Sequence, residues 1–540
     1  MKPRSAGGAV VAAAAAVLLP AWSARAQTIP PVPGGPAATA SQPTPLMQPP
    51  STYLMPSITV LGTQSNNTLV GTGRPAHADT VLDVIPGLFL QSNHANWQLQ
   101  GNLSLHGGYF AQGTNPDVLA PQGDAVLHSE WVSNLLYLDA GFSGTQSAVS
   151  PYVGQGGALQ GTNYTTTQWR ISPYIDRVLR PGLRLVARSD DTWTHVNNTP
   201  AQSTLGGGRY LRQSFMLEQR PERLGYTLEA RQIYASYDSD PYAWTRNTSV
   251  RAIGNVAVGG HTVFGLIGGR EKEQGASSDV SSAIYGLRLA WQPGLYGRLG
   301  ATVEHRFFGT GWNVAATAGT PESRLSLAWQ RDAFSSLAPL ASSIGNGSSS
   351  LNPTANIGQL LNSLLVTRYP DPLERARAVQ DLLGSAGLPA GLATSGNFYI
   401  GSTVLQNNLV LTGLLLHGRN SFALSLYRNR IENLFLPGQQ ILQALQVRSV
   451  DTVQTGWALN YGRRLTPLAN LNVTLQRESD SGFGSNQGLS AVDRAVIVQL
   501  DRRLSPRTTG LIGVRRQLLA STLVAGGNET ALFVGLVHRF

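Results

Sequence analysis

The sequence predicts an all-β chain. It reads as a closed antiparallel transmembrane β-barrel of the bacterial outer membrane, with an even strand number of about 22 (range about 16–22) and a small helical insert in one long loop. Three observations predict this. Short segments alternate apolar and polar side chains. The connections between them fall into a tight class and a longer class. The chain closes on an amphipathic segment whose last residue is Phe540.

The alternation is plain in Trp97–Tyr109, WQLQGNLSLHGGY. Trp97, Leu99, Leu103, Leu105 and Tyr109 share one parity, and Gln98, Gln100, Asn102, Ser104 and His106 share the other. Successive side chains on a strand face opposite ways, so the segment has one apolar and one polar face. On a barrel the first meets lipid and the second a wet lumen. The same pattern recurs in TQWRISPYI (167–175), YGLRLAW (285–291), SRLSLAW (323–329), WALNY (457–461) and LNVTL (471–475).

Composition narrows the classes. The 540 residues hold 59 glycines, 13% charged residues and no cysteine, so neither a disulfide nor an acylated-cysteine anchor can form. The cations are nearly all arginine, with lysine only at Lys2 and Lys272. Residues 1–26 read as a signal peptide: Lys2 and Arg4 lead, Gly7–Leu19 is apolar, and Ala24–Ala26 is a small-x-small cleavage pattern. Without Lys2, Arg4 and Arg25, the formal charge of +10 falls to about +7. Residues 27–56 carry nine prolines and read as an extended periplasmic tether. The barrel is expected over 57–540. No later run is long and apolar enough for a membrane helix.

Tight connections rich in Pro, Gly, Asn and Ser include SNHAN (92–96), RPG (180–182), GGH (259–261), HGR (417–419) and SPRT (505–508). Longer ones include Phe110–Gly123, Ser147–Thr162 and Asn197–Gly208. Alternation of the two classes is how bacterial barrels arrange periplasmic turns and outer loops. The exception is Asp332–Gly401, about seventy residues with helix signals. In DPLERARAVQDLLGSAGLP, Asp371 suits an N-cap, Pro372 the first turn, and Gly384 or Gly387 the stop. A shorter helix is expected over Ile357–Leu365. The loop either folds into the lumen or caps the barrel outside.

The end of the chain, ETALFVGLVHRF, alternates Leu532, Val534, Leu536, His538 and Phe540. With Gly535, this resembles the assembly signal of outer-membrane barrels. It implies the barrel assembly machinery as partner, and outer-membrane lipid and lipopolysaccharide as surroundings. His538 and Phe533 depart from the usual pattern. Trp131, Tyr137, Trp193, Tyr210 and Tyr226 read as interface girdles.

Charges follow the faces. Arg170, Arg184, Arg188, Arg251, Arg288, Arg298 and Arg324 alternate with apolar neighbours, and a charge facing mid-bilayer costs about 2–4 kcal/mol, so they are assigned to the lumen. Asp176, Glu229 and Glu304 are assigned there too. The set makes either a self-satisfied network or a cationic lining that favours anionic or polyhydroxylated solutes. Catalysis has little support. His128 and Ser129 adjoin but face opposite ways. His106, His195, His261 and His417 lack metal spacing. GLIGGRE lacks the Lys-Ser/Thr of a phosphate loop. Dispersed arginine does not make a nucleic-acid patch. No cofactor, metal site or nucleic acid is expected.

Several segments carry a family resemblance: PSITVLGTQSNN, DTVLDVIPGLFLQ, LLYLDAGFSGTQS, RYPDPLERARAVQDLLGSAGLPAGLA and LHGRNSFALSLYRNR. Over residues 56–540 the chain resembles outer-membrane proteins associated with the PEP-CTERM/exosortase system. It departs at RDAFSS, after Trp329, where that family has a Thr/Ser-rich acidic stretch. The resemblance implies a role in exopolysaccharide production or export, with exopolysaccharide or its export components as partners, and supplies no site residues. The expected function is a non-enzymatic channel or scaffold. The alternatives are a plugged docking or assembly protein of the envelope, and a barrel hydrolase with a Ser–His pair at the rim.

Overall fold

A computed structural model describes residues 52–72, 74–115, 117–148, 150–152, 163–197, 207–238, 244–275, 278–294, 296–338, 403–434 and 451–540, with scattered positions between 360 and 382. The expected signal peptide and most of the tether lie outside the described residues, as do Asp371, Pro372, Gly384 and Gly387.

Twenty-two strands form one closed sheet. The first half comprises β1 (Thr52–Ser65), β2 (Asp79–Asn93), β3 (Trp97–Phe110), β4 (Val118–Val132), β5 (Leu136–Ala148), β6 (Asn163–Arg180), β7 (Leu183–Asn197), β8 (Gly208–Gln219), β9 (Leu224–Tyr237), β10 (Trp244–Val258) and β11 (Thr262–Gly275). The second comprises β12 (Ser278–Trp291), β13 (Arg298–Arg306), β14 (Gly309–Gly319), β15 (Ser323–Ser335), β16 (Thr403–His417), β17 (Asn420–Asn433), β18 (Thr452–Thr466), β19 (Ala469–Gly482), β20 (Ser490–Arg503), β21 (Thr508–Ser521) and β22 (Gly527–Arg539). Each strand pairs antiparallel with its sequence neighbour, and β1 pairs with β22 to close the ring. Closure leaves no unpaired edge, which is what a sheet needs in lipid.

The outer face is apolar. Trp97, Leu105 and Tyr109 stand exposed on β3, and Phe264 and Leu266 on β11. Leu532, Val534 and Leu536 do the same on β22. The opposite parity carries buried polar groups, among them Ser249, Arg251 and Asn255 on β10. Apolar outside and polar inside is the signature of a transmembrane barrel.

β1 begins within the stretch read as tether. Its residue Pro56 accepts a hydrogen bond through its carbonyl from the Phe540 N–H (2.9 Å). A residue's N and O point the same way on a strand, so the proline nitrogen faces the end of β22, where no acceptor needs a donor. The loop expected over Phe110–Gly123 is shorter too, since β4 starts at Val118. Pairing of β4 with β5 starts only at Gly123, because Pro121 cannot donate to that ladder.

At the C-terminus His538 takes the outer face, bonds Thr508 (2.9 Å) and meets the Phe540 ring edge-on. Phe533 turns inward over Gly513, where a Cβ would strike its ring.

Two girdle assignments need correction. Trp131, Trp193 and Tyr226 are exposed on the outer face, but Tyr137 and Tyr210 share the inner parity of Asp139 and Arg212. Tyr210 is buried against Val196, Ala235, Tyr237 and Leu337. An aromatic near a strand end is amphipathic enough for either face, and only register decides between them.

Candidate functional site: the inner wall

The inner wall has two chemically different sectors. From β4 to β15 it is ionic. His128 on β4 bonds Asp139 on β5 (2.8 Å). Asp139 also takes Arg188 on β7 (2.8 Å), whose Nε reaches Asp190 (2.6 Å). The Arg188 guanidinium lies 4.8 Å from the Tyr174 ring centre, and Tyr174 stacks on Tyr137. Arg170, buried on β6, lies within electrostatic reach of Asp139 and Asp190. Nearer the short turns, Arg184 grips Asp176 through Nε (2.7 Å) and Nη2.

The network continues on β10. Arg251 is directly opposite Glu229 in register. Its ion pair goes instead to Glu304 on β13, at 3.2 Å. Arg306 on β13 holds Glu271 on β11 through Nε and Nη2, both at 2.7 Å, and reaches Asp332 on β15 at 3.5 Å. Arg231 on β9 is within electrostatic reach of Asp332, against the repulsion of Arg212, Arg251 and Arg306. These contacts join strands that are not neighbours, which only side chains on the concave face can do.

The remaining assigned residues stand apart. Arg288 has the inner parity on β12, opposite Thr302, and makes no ion pair among the described residues. Arg298 is exposed at the start of β13. Arg324 donates to the Tyr296 carbonyl (3.4 Å) near a short turn.

Sequence reasoning missed Asp139, Asp190, Arg212, Arg231, Glu271, Arg306 and Asp332. Parity was a usable signal for Glu271. In GREKE it shares a face with Ile267, whereas Arg270 and Lys272 share the face of lipid-exposed Leu266.

From β16 to β21 the wall is amide-rich. Gln406 donates to Asn429 (3.0 Å), Asn429 to Gln454 (3.1 Å), and Gln454 to Glu478 (3.4 Å), one rung per strand. Asn472 and Gln499 both bond Asp501, and Gln517 bonds Asp493.

The long loop meets the inner wall at two places. Just past β15, Leu337 and Ala338 pack against Val196, Tyr210, Ala235 and Tyr237 on β7–β9. The Tyr237 hydroxyl bonds Ser335 (2.7 Å), and Gln168 on β6 donates to the Ala338 carbonyl (3.3 Å). Farther along, Leu360, Leu361, Leu364 and Leu365 are helical, as are Glu374, Arg375, Ala378, Val379 and Leu382. Leu360, Leu361, Leu365 and Val379 pack on Leu414, Ala423 and Ala458 of β16–β18. Leu414 lies near the short-turn end of β16, so the insert reaches deep along the inner wall.

Among the described residues, no serine hydroxyl bonds an imidazole, and no three metal-ligating side chains come together. Ser129 pairs with lipid-facing Trp97, on the opposite face from His128. His106 bonds Asp83, His195 bonds Asn197, and His417 lies exposed beside Glu322.

No protein-family model matches the sequence, and no curated protein does. Among solved structures the chain is similar to the siderophore receptor PirA from Acinetobacter baumannii, with 10% identity, 90% of this chain and 80% of that chain covered, and a TM-score of 0.44. It is similar to the FrpB iron transporter from Neisseria meningitidis at 9% identity, with 90% and 81% covered and a TM-score of 0.46. It is also similar to the outer membrane protein OpdK from Pseudomonas aeruginosa at 9% identity, with 90% and 99% covered and a TM-score of 0.35.

Proposed function

We propose that the chain is a non-enzymatic outer-membrane channel in exopolysaccharide production or export, gated by its long-loop insert. One observation carries this reading: the helical insert lies on the inner wall at β16–β18, near the short-turn end. A segment in that position narrows the lumen, and long inward loops in barrels are commonly functional. The two sectors suit an anionic glycan. Amides on β16–β21 can exchange hydrogen bonds with hydroxyls, and Arg288 and Arg298 offer guanidinium forks to carboxylates.

A second reading is a docking or assembly protein whose lumen is filled by its own side chains. The pairing of Arg188, Arg251 and Arg306 with wall carboxylates favours it. Single-channel conductance in a planar bilayer separates the two. Replacing residues 340–399 with a short Gly-Ser linker raises a steady conductance if the insert gates a pore, and anionic oligosaccharides then block the current. Silence in both forms rejects the channel and leaves the scaffold.

A further inference from the structure

On β19 to β22 the charges are sorted by face. Every carboxylate there turns inward: Glu478 meets Gln454, Asp501 meets Asn472, Asp493 meets Gln517, and Glu529 meets Arg515 and Ser65. Asp480 is buried on the same parity. Arg477, Arg494 and Arg516 turn outward and are exposed, on the parity of Leu475, Val496 and Val514. Arg477 is directly opposite Arg494 in register, and Arg516 is opposite Val496 on the next strand, diagonal to Arg494. Like charges directly opposite across a ladder are destabilising. None of the three has an ion-pair partner among the described residues. Among the described residues, the one side-chain bond from this triad goes from Arg516 to the Thr530 hydroxyl (3.1 Å).

Their height gives the arrangement meaning. Arg477 follows Ala469, and Arg516 follows Thr508, by eight positions. On tilted strands this puts them about 20 Å above the short-turn ends, near the top of an apolar band about 25 Å tall. From there a guanidinium snorkels to the headgroups of the outer leaflet. Beside them is a cavity of ≈ 560 Å³ lined by Arg494, Arg74, Asn528, Leu518 and Val70.

We infer that Arg477, Arg494 and Arg516 form a binding site for a phosphorylated glycolipid of the outer leaflet, a molecule of the lipopolysaccharide class. Its phosphates bridge the three guanidiniums, which bind phosphate bidentately. Its sugar and upper acyl carbons occupy the adjoining cavity, whose apolar residues a free phosphate would not use. The site is on the lipid-facing side and is independent of what the lumen carries.

The test uses the full barrel refolded in detergent micelles and native mass spectrometry. The probes are lipopolysaccharide with bis-phosphorylated lipid A, the same lipid dephosphorylated, and inorganic phosphate as competitor. The wild type retains the phosphorylated lipid. The triple variant Arg477→Gln/Arg494→Gln/Arg516→Gln, checked for folding by its heat-dependent gel shift, loses at least tenfold. A control triple at the opposite rim, Arg177→Gln/Arg463→Gln/Arg502→Gln, retains it as the wild type does. If the first triple does not fold, Arg494→Gln alone gives a several-fold drop. Equal retention by the variants, equal binding of dephosphorylated lipid, or full displacement by millimolar phosphate overturns the proposal.

Discussion

Replacing Arg306 with Met should remove about 3–5 kcal/mol of stability. The figure follows from the geometry. Both Arg306 and Glu271 have buried side chains, 5% and 0% exposed. Glu271 accepts two guanidinium N–H groups at 2.7 Å and, among the described residues, keeps the Phe307 N–H (2.6 Å) once they are gone. Charge-assisted bonds contribute about 1.5–3 kcal/mol each, which for two agrees with the known cost of breaking a buried pair. Expressed as an equilibrium constant, the loss is two to three decades or more, at about 1.4 kcal/mol per decade. The assay is urea unfolding of the refolded barrel in micelles, followed by tryptophan fluorescence and gel mobility. Two controls sharpen it. Arg306→Met/Glu271→Met should recover much of the loss, because no buried carboxylate is stranded. Arg184→Met breaks a pair that is 33% and 24% exposed and should cost about 1 kcal/mol or less. If Arg306→Met is as mild as Arg184→Met, or the double variant as damaged as the single, the ionic sector does not hold the barrel together as argued.

Other consequences can be measured separately. On the channel reading, Arg288→Glu with Arg298→Glu should shift ion preference from anions towards cations in bi-ionic reversal potentials; an unchanged reversal potential removes these residues from the ion path. Leu361→Ala, at a side chain 0% exposed in the insert, should loosen the insert by about 2–5 kcal/mol of docking energy and speed its proteolysis, with the barrel gel shift unchanged. Leu266→Arg, at a lipid-facing position 69% exposed, should cost about 2–4 kcal/mol in a bilayer, and far less in denaturant-swollen micelles. Gly123→Ala should disrupt the β3–β4 pairing, because Gly123 has φ +118° and a Cβ there strikes the Asn102 carbonyl; folding yield reads the outcome.

The wall was largely legible because lipid imposes a period of two on each strand. Trp169 and Ile171 mark the outside, so Arg170 between them must turn in, and it is buried there. Turn residues such as Pro181–Gly182 punctuate the strands, which is why alternating connections counted up to 22. Which inner groups meet was not legible. Arg251 stands opposite Glu229 yet bonds Glu304 three strands away, a choice set by curvature and side-chain reach. Arginine direction near the outer rim was not legible from mid-membrane cost either, because the penalty fades towards the headgroups. That is how Arg477 and Arg494 can face out while Arg188, lower on its strand, cannot.

The division of the inner wall bears on how the insert could move. In the ionic sector, groups on β10 to β15 hold one another through Arg306 and Glu304, and the start of the long loop is clamped by Gln168 and Tyr237. On β16–β18 the insert rests on Leu414, Ala423 and Ala458, an apolar contact. Apolar contact has little angular preference and weakens steeply with separation, whereas a buried ion pair cannot part without stranding a charge. On the channel reading proposed above, the end held at β7–β9 is the hinge and the helical end at β16–β18 is the part that releases. Such a gate would open beside the amide wall and leave the ionic wall intact.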